Sequence, residues 1–372
     1  MPTMTNPRLS LSSERVLHSL IVGKTGMGKS TLLRALVLGQ VAASNGLLLI
    51  DPHGDLVDEL HSLIPRRRRN DVVTFDARTA DACPGLNPLR GVRAIDRAVT
   101  VSGILATLRK LWPDNWGPRT EHLLRYTLLA LCEVRGATLI DARDMLADET
   151  RRRWVLKQVR DEGVLHFWGR EFVGYSKQLQ ADAVAAPLNK LGAMAGHTNV
   201  RAVLTRNRPV LEPDQCLARQ RLVLARLSKG AIGEDGANLL GGLLLGQFQR
   251  ATMAREAFPR EARLPFSIVV DEIGSFATKP FIELLSEARK YSVSLTLATQ
   301  SIALMSDDLR AGILGNVGTI VSFRVGAEDA ELLEKEFAGR YGVHTLTSLE
   351  VGERVVKEGA KPAMLVPLAE TS

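Results

Sequence analysis

Short runs of apolar residues recur along the chain, each closing on glycine or a polar residue. Residues 16–22 (Val-Leu-His-Ser-Leu-Ile-Val) form the first, and residues 31–38 follow with helical spacing. Asn45-Gly46 marks a turn, after which Leu47-Leu48-Leu49-Ile50 and Val72-Val73-Thr74-Phe75-Asp76 read as second and third strands. Strands alternating with helices predict a parallel sheet in an α/β fold. From residue 91 to residue 199 no strand pattern occurs. Helical periodicity covers residues 95–111, 121–133, 140–146 and 152–162, and again 177–191, with a break expected at Pro187. Strand patterns return at residues 222–227, 266–270, 294–299 and 319–323. Short alternating pieces lie near residues 354–356 and 363–366. The division this predicts is a core from residues 1–90 and 201–372, interrupted by an all-α insertion at 91–200.

The first strand–helix junction carries chemistry. Gly23-Lys24-Thr25-Gly26-Met27-Gly28-Lys29-Ser30, followed by Thr31, fits the G-x-x-x-x-G-K-[ST] phosphate-binding pattern. Backbone N–H groups and the helix dipole face an anion there. Lys29 neutralises the outer phosphates, and the Ser30 hydroxyl can ligand Mg²⁺. Ile268-Val269-Val270-Asp271-Glu272 is an apolar strand ending in two acids. Asp271 sits where a strand tip holds the water shell of Mg²⁺, and Glu272 where a base polarises water for attack on the γ-phosphate. Ala298-Thr299-Gln300-Ser301 ends the next strand, so Gln300 can contact the γ-phosphate or cap a turn. Arg289 precedes that strand, where a guanidinium could serve a neighbouring subunit or simply lie on the surface; Arg324 and Arg119 are rivals.

Composition narrows the class. The 372 residues are 45% hydrophobic and 24% charged, ordinary for a globular chain large enough to form a core without disulfides. The net charge of +7 leans towards a polyanionic partner. Cys83, Cys132 and Cys216 are widely spaced, suggesting reduced thiols rather than zinc. Residues 1–15 lack a signal-peptide core, and no apolar run is long enough to span a bilayer; residues 239–245 are interrupted by glycine. The densest charge run, Arg66-Arg67-Arg68-Arg69, reads as a solvated loop or helix end, with a nucleic-acid contact as the alternative. Asn189-Lys190-Leu191-Gly192 lacks the aspartate of a guanine-specificity motif. Leu239-Leu240-Gly241-Gly242-Leu243 lacks the phosphate-contacting serine of a transporter-ATPase signature.

In order and together, these motifs resemble the HerA/FtsK superfamily of ring-forming, RecA-like DNA-pumping ATPases. Within it the chain looks most like the coupling-protein (TraG/TraD-like) ATPases of conjugation and type IV secretion. The likeness rests on the phosphate loop, Ile50-Asp51-Pro52-His53-Gly54-Asp55, Pro84-Gly85-Leu86-Asn87-Pro88-Leu89 and Trp116-Gly117-Pro118-Arg119-Thr120-Glu121. It continues through Leu227-Ser228-Lys229-Gly230-Ala231-Ile232-Gly233, Ser286-Glu287-Ala288-Arg289-Lys290-Tyr291, Ala298-Thr299-Gln300 and Gly315-Asn316-Val317-Gly318-Thr319. The resemblance implies a RecA-like core, ATP and Mg²⁺ as cofactors, and a homohexamer with nucleotide between subunits and DNA in the pore. It implies Asp271 as metal-water holder, Glu272 as hydrolytic glutamate, Gln300 as sensor and Arg289 acting in trans, with Asp51 and Asp55 near the nucleotide. The membrane-spanning segment of membrane-bound coupling proteins has no counterpart. That implies a cytoplasmic protein recruited to the inner face of the membrane by a partner, with relaxase or secretion-channel proteins as candidate partners. Few aromatics (5%) favour DNA backbone contacts over base stacking. A HerA-like DNA-processing enzyme working with a separate nuclease, and a non-motor recognition adaptor for protein substrates, are the competing functions.

Overall fold

The structure, a computed structural model, describes residues 17–367 except Asn115. The expectations for residues 1–15, and Val16 of the first predicted strand, lie outside these. Strand β1 (Ser19–Val22) leads into α1 (Lys29–Ala42), then β2 (Gly46–Asp51), α2 (Asp55–Leu63) and β3 (Val72–Asp76). A helical run follows: α3 (Arg97–Leu111), α4 (Pro118–Leu131), α5 (Asp141–Ala147), α6 (Glu149–Leu156), α7 (Glu162–His166) and, across a π turn, α8 (Phe172–Gly174). It ends with α9 (Lys177–Gly196), α10 (Thr198–Thr205) and α11 (Pro213–Ala218). The chain then returns through β4 (Leu222–Arg226), α12 (Lys229–Met253), β5 (Phe266–Val270), α13 (Ile273–Phe276), α14 (Lys279–Glu287) and β6 (Val293–Thr299). Helix α15 (Asp307–Asn316), β7 (Thr319–Ser322), α16 (Ala327–Glu336), α17 (Val343–Ser348), β8 (Arg354–Glu358) and β9 (Met364–Val366) complete it.

The strands form one sheet in the order β3-β4-β2-β5-β6-β1-β7-β8-β9, parallel from β3 to β7 and antiparallel at β8 and β9. Strands β1, β2 and β5 are buried along their whole length because both faces are covered. Alternation splits them: Leu47 and Leu49 pack with α1 and α2, Leu48 and Ile50 with the core beneath α3 and α12. All parallel strands therefore end on one edge, where their loops gather.

Three expectations change. Helix α9 runs unbroken through Pro187, because Ala183, Pro187, Leu191 and Met194 continue one buried stripe. Packing along that stripe outweighs the lost backbone donor. The predicted helix at 152–162 instead stops at Leu156. The Glu133 carboxylate accepts the Arg160 and Asp161 amides (3.0 and 3.2 Å), and Asp161 caps a new helix through the Val164 amide (3.0 Å). Arg68 is not solvated: it is 6% exposed, pairs with Asp71 at 2.7 Å, and donates to the Gln220 carbonyl at 2.8 Å. It ties the Arg66–Asp71 turn to the neighbouring loop. An aromatic cluster went unread in the sequence: Tyr126 stacks on Phe167 with centroids 4.3 Å apart, and Trp168 and Phe172 pack around them. All three cysteines are free, and burial pushes the Cys83 and Cys216 thiols up to about 12.

Gly241 lets α12 sit against the end of β4 and the turn after β5. A Cβ there would lie 2.3 Å from the Phe276 ring and 2.9 Å from Leu227. Gly241→Val should therefore destabilise the fold by about 1–3 kcal/mol through overpacking, read as a lower urea midpoint; a wild-type midpoint would show that the Phe276 ring yields freely.

Candidate nucleotide-binding site

The phosphate loop is built by close approach. Gly23 follows β1 where a Cβ would sit 2.6 Å from that of Phe323, so only glycine fits. Gly26 and Gly28 take positive φ (77° and 108°), curling the loop into the first turn of α1. Neighbouring strands pin it: Gly23 donates to Thr299 O (3.2 Å), Lys24 to Arg324 O (2.8 Å), and Gly352 to Met27 O (3.2 Å). Helix α1 starts with no side-chain cap and no acid in its first turn. Its opening N–H groups are thus left for an anion. Lys24, Thr25, Gly26, Ser30 and Thr31 are exposed along this rim, and Met27 is buried beneath it. The Lys29 ammonium folds over the loop onto Gly23 O (2.5 Å) and Lys24 O (3.1 Å). Burial lowers its pKa, opposed by Asp271 and Glu272.

Asp271 and Glu272 follow β5 on the same edge. The Asp271 amide still pairs with Ile50 O at 3.0 Å, so the acid emerges at the very tip of the sheet. Burial raises the Asp271 pKa to about 6, with the Asp51 and Glu272 charges adding to it. Glu272 adopts left-handed backbone angles (φ 57°, ψ 58°), a conformation costly for a non-glycine residue. Its carboxylate is held from β6: Thr299 Oγ1 donates to Oε1 at 2.9 Å and the Gln300 amide to Oε2 at 3.3 Å. Thr299, 1% exposed, is a positioning group that the sequence pattern did not single out. Gln300 itself is exposed beside Glu272.

Asp51, 1% exposed, caps the entry to α2 by accepting the His53 (2.9 Å), Gly54 (2.8 Å) and Val57 (3.1 Å) amides. Asp55 opens that helix. Asp329 was also missed; it accepts from Ser301 Oγ and from the Ile302 and Ala303 amides (3.0, 2.8 and 2.9 Å). That fixes the loop after Gln300, which stays non-helical until α15.

Arg289 does not join this cluster. It precedes the seven-residue β6, whereas Gln300 follows it, a separation of about 23 Å along the strand. Its guanidinium donates to Asn316 O at 2.5 Å and helps depress buried His18 to about 4, after burial itself. Of the rivals, Arg324 lies beside its own phosphate loop and Arg119 at the start of α4. The two stretches set aside fall in α9 and in the middle of α12. A cavity of about 610 Å³ between α3, α12 and α14 is lined by none of these site residues.

A glycine loop feeding a helix, facing paired acids on the next-but-one strand of a mostly parallel sheet, defines a P-loop NTPase with a RecA-like core. Residues 2–145 match the family described as Helicase HerA, central domain, and residues 265–358 the family described as TraM recognition site of TraD and TraG. No curated protein matches. Among solved structures, the bacterial conjugative coupling protein TrwB is similar over 95% of this chain and 85% of its own (TM-score 0.67, 15% identity). VirB4 of Thermoanaerobacter pseudethanolicus is similar over 95% and 89% (TM-score 0.63, 15% identity). Two family models thus match separate parts of the chain, and its fold is that of TrwB and VirB4, in line with the likeness read from the motifs.

Asp271 gives a pH test. Its folded pKa lies above its ordinary 3.8, so the folded chain keeps a proton that the unfolded chain releases. The contribution of Asp271 to the stability of the nucleotide-free protein therefore falls as pH rises from 3.8 to about 6 and stays lower above that. Asp271→Asn should remove the loss, raising stability at pH 8 by at most about 3 kcal/mol. Urea unfolding at pH 5 and 8 checks it, and equal midpoints for both proteins at pH 8 would refute the strained carboxylate.

Proposed function

We propose that this protein is an ATP-hydrolysing ring motor that moves DNA in conjugative transfer, type IV secretion coupling or a related mobile-element process. One observation carries the reading: Lys29, Asp271 and Glu272 converge on one sheet edge, while Arg289 stands a strand's length away on the opposite edge. A guanidinium so placed cannot reach its own phosphate loop. It suits a site between copies, completed by the neighbour.

In that site the unpaired amides of the loop and the Lys29 ammonium hold the phosphates. Ser30 and Asp271 would hold Mg²⁺, which when bound would offset phosphate charge. The residues fit: Asp271 is crowded by Asp51 and Glu272, and a divalent cation would relieve that repulsion. Among the described residues no group of three or more His, Cys, Asp or Glu is poised to hold a metal. A Mg²⁺ that keeps several waters and takes phosphate oxygens needs none. Glu272, held by Thr299 and the Gln300 amide, orients and deprotonates the attacking water. Gln300 reads the γ-phosphate and passes its loss to the loop fixed by Asp329. Structures of TrwB with ADPNP and with ADP and Mg²⁺ support the same ligands here.

Residues 91–200 act as an all-α insertion on a core made from 1–90 and 201–372. DNA is held mainly through its phosphates by a chain of net charge +7. No described helix is long and apolar enough to cross a membrane. The match at 265–358 to the family described as TraM recognition site of TraD and TraG supports docking on a partner protein, for which relaxase or secretion-channel proteins are the candidates. The match at 2–145 keeps HerA-like processing with a separate nuclease as the second reading. Which partner co-purifies separates the two.

ATPase rates with and without single- and double-stranded DNA, beside a mass measurement, test the motor. DNA should stimulate turnover with steep salt dependence; turnover indifferent to any DNA would count against it. Glu272→Gln should cut hydrolysis by about 10²–10⁴-fold with nucleotide binding intact, and survival of both hydrolysis and function would sink the motor mechanism. Arg289→Ala should spare binding but abolish hydrolysis in the assembled ring; retained turnover would pass the trans role to Arg324 or Arg119.

A further inference from the structure

Glu272 sits in a strained conformation at the head of α13, a single turn of helix. So short a helix cannot hold all its own carbonyls. The Ala277 amide takes the Ile273 carbonyl (2.9 Å), and two further carbonyls of the turn are taken up from outside. Lys110, in the last turn of α3, donates to Gly274 O at 2.7 Å and to Ala277 O at 2.6 Å. Lys229, at the start of α12, adds a contact to Ser275 Oγ at 3.3 Å. The ammonium of Lys110 meets carbonyls, and burial alone brings its pKa down to about 8, while much of the residue stays exposed.

The residue before it faces the other way. Arg109 pairs with Glu121 of α4, which also accepts from Trp116 Nε1 (2.9 Å) and Arg125 (3.0 Å). Helix α3 itself is locked to α12, since a Cβ on Gly242 would lie 2.7 Å from Thr107 Cγ2. Two consecutive residues thus join the first helices of the helical region to the turn carrying Glu272.

We infer that Lys110 is a positioning residue that holds the Glu272 turn in its hydrolysis-competent form from the root of the helical insertion. The inference rests on the reading of Glu272 as the hydrolytic glutamate. Without the two carbonyl bonds the left-handed Glu272 would relax, and its carboxylate would leave the line set by Thr299. Nucleotide contacts at the phosphate loop would be untouched. The cost falls on turnover and not on binding.

The test is steady-state ATP hydrolysis by the full chain carrying Lys110→Met, Lys110→Arg, Arg109→Ala or Glu272→Gln, with nucleotide affinity and thermal midpoint measured for each. Lys110→Met should lower kcat about tenfold or more, leaving KM, nucleotide affinity and midpoint at wild-type values. Lys110→Arg, still able to donate twice, should restore most of the rate. Arg109→Ala should keep basal kcat. Wild-type kcat in Lys110→Met, or a loss shared equally by Arg109→Ala, or a fall in affinity and midpoint matching the fall in rate, overturns the proposal. Hydrolysis persisting in Glu272→Gln instead overturns the reading beneath it.

Discussion

Parallel pairing from β3 to β7 is the constraint on which the rest depends. It sends every strand's carboxyl end to one edge, so loops distant in sequence become neighbours. Residues near 24, 51, 272 and 300 meet only because β1, β2, β5 and β6 run side by side in one direction. The same geometry carries Arg289 to the other edge. A parallel sheet has two chemically different ends, and here each end holds half of a proposed shared site.

At the reactive edge the fold works against itself. Asp51, Asp271 and Glu272 are brought close, Asp271 loses hydration, and its carboxyl resists ionising. Glu272 occupies a backbone region that suits glycine. Lys29 is partly dehydrated and has loop carbonyls as its partners. These are the marks of a site arranged for a charged ligand rather than for the stability of the empty chain. The surrounding structure fixes the strain through hydrogen bonds: Thr299 on the carboxylate, the amides at the entry to α2 on Asp51, and the Lys110–carbonyl bonds on the turn below.

The helical region illustrates how packing overrides local signals. Pro187 should break a helix, yet α9 passes through it along a buried stripe. Residues 152–162 have helical spacing, yet Glu133 and Asp161 impose a stop and a restart. The Arg66-Arg67-Arg68-Arg69 run has the look of uniform solvent, yet Arg68 finds carbonyl and carboxylate partners inside. In each case the deciding partner is remote in sequence or in the third dimension, where periodicity carries no information.

The sequence by itself determined the local chemistry of this protein. The glycine spacing of residues 23–28, Lys29, the apolar run ending in Asp271 and Glu272, and the alternation of strand and helix are read from short-range constraints on backbone and burial. Strand order, the holding of Glu272 by Thr299, the role of Asp329 behind Gln300, and the placing of Arg289 away from its own nucleotide loop were decided by the tertiary structure. Each depends on which strands pair and on which edge they end, and pairing is set by the burial of whole faces rather than by any one segment.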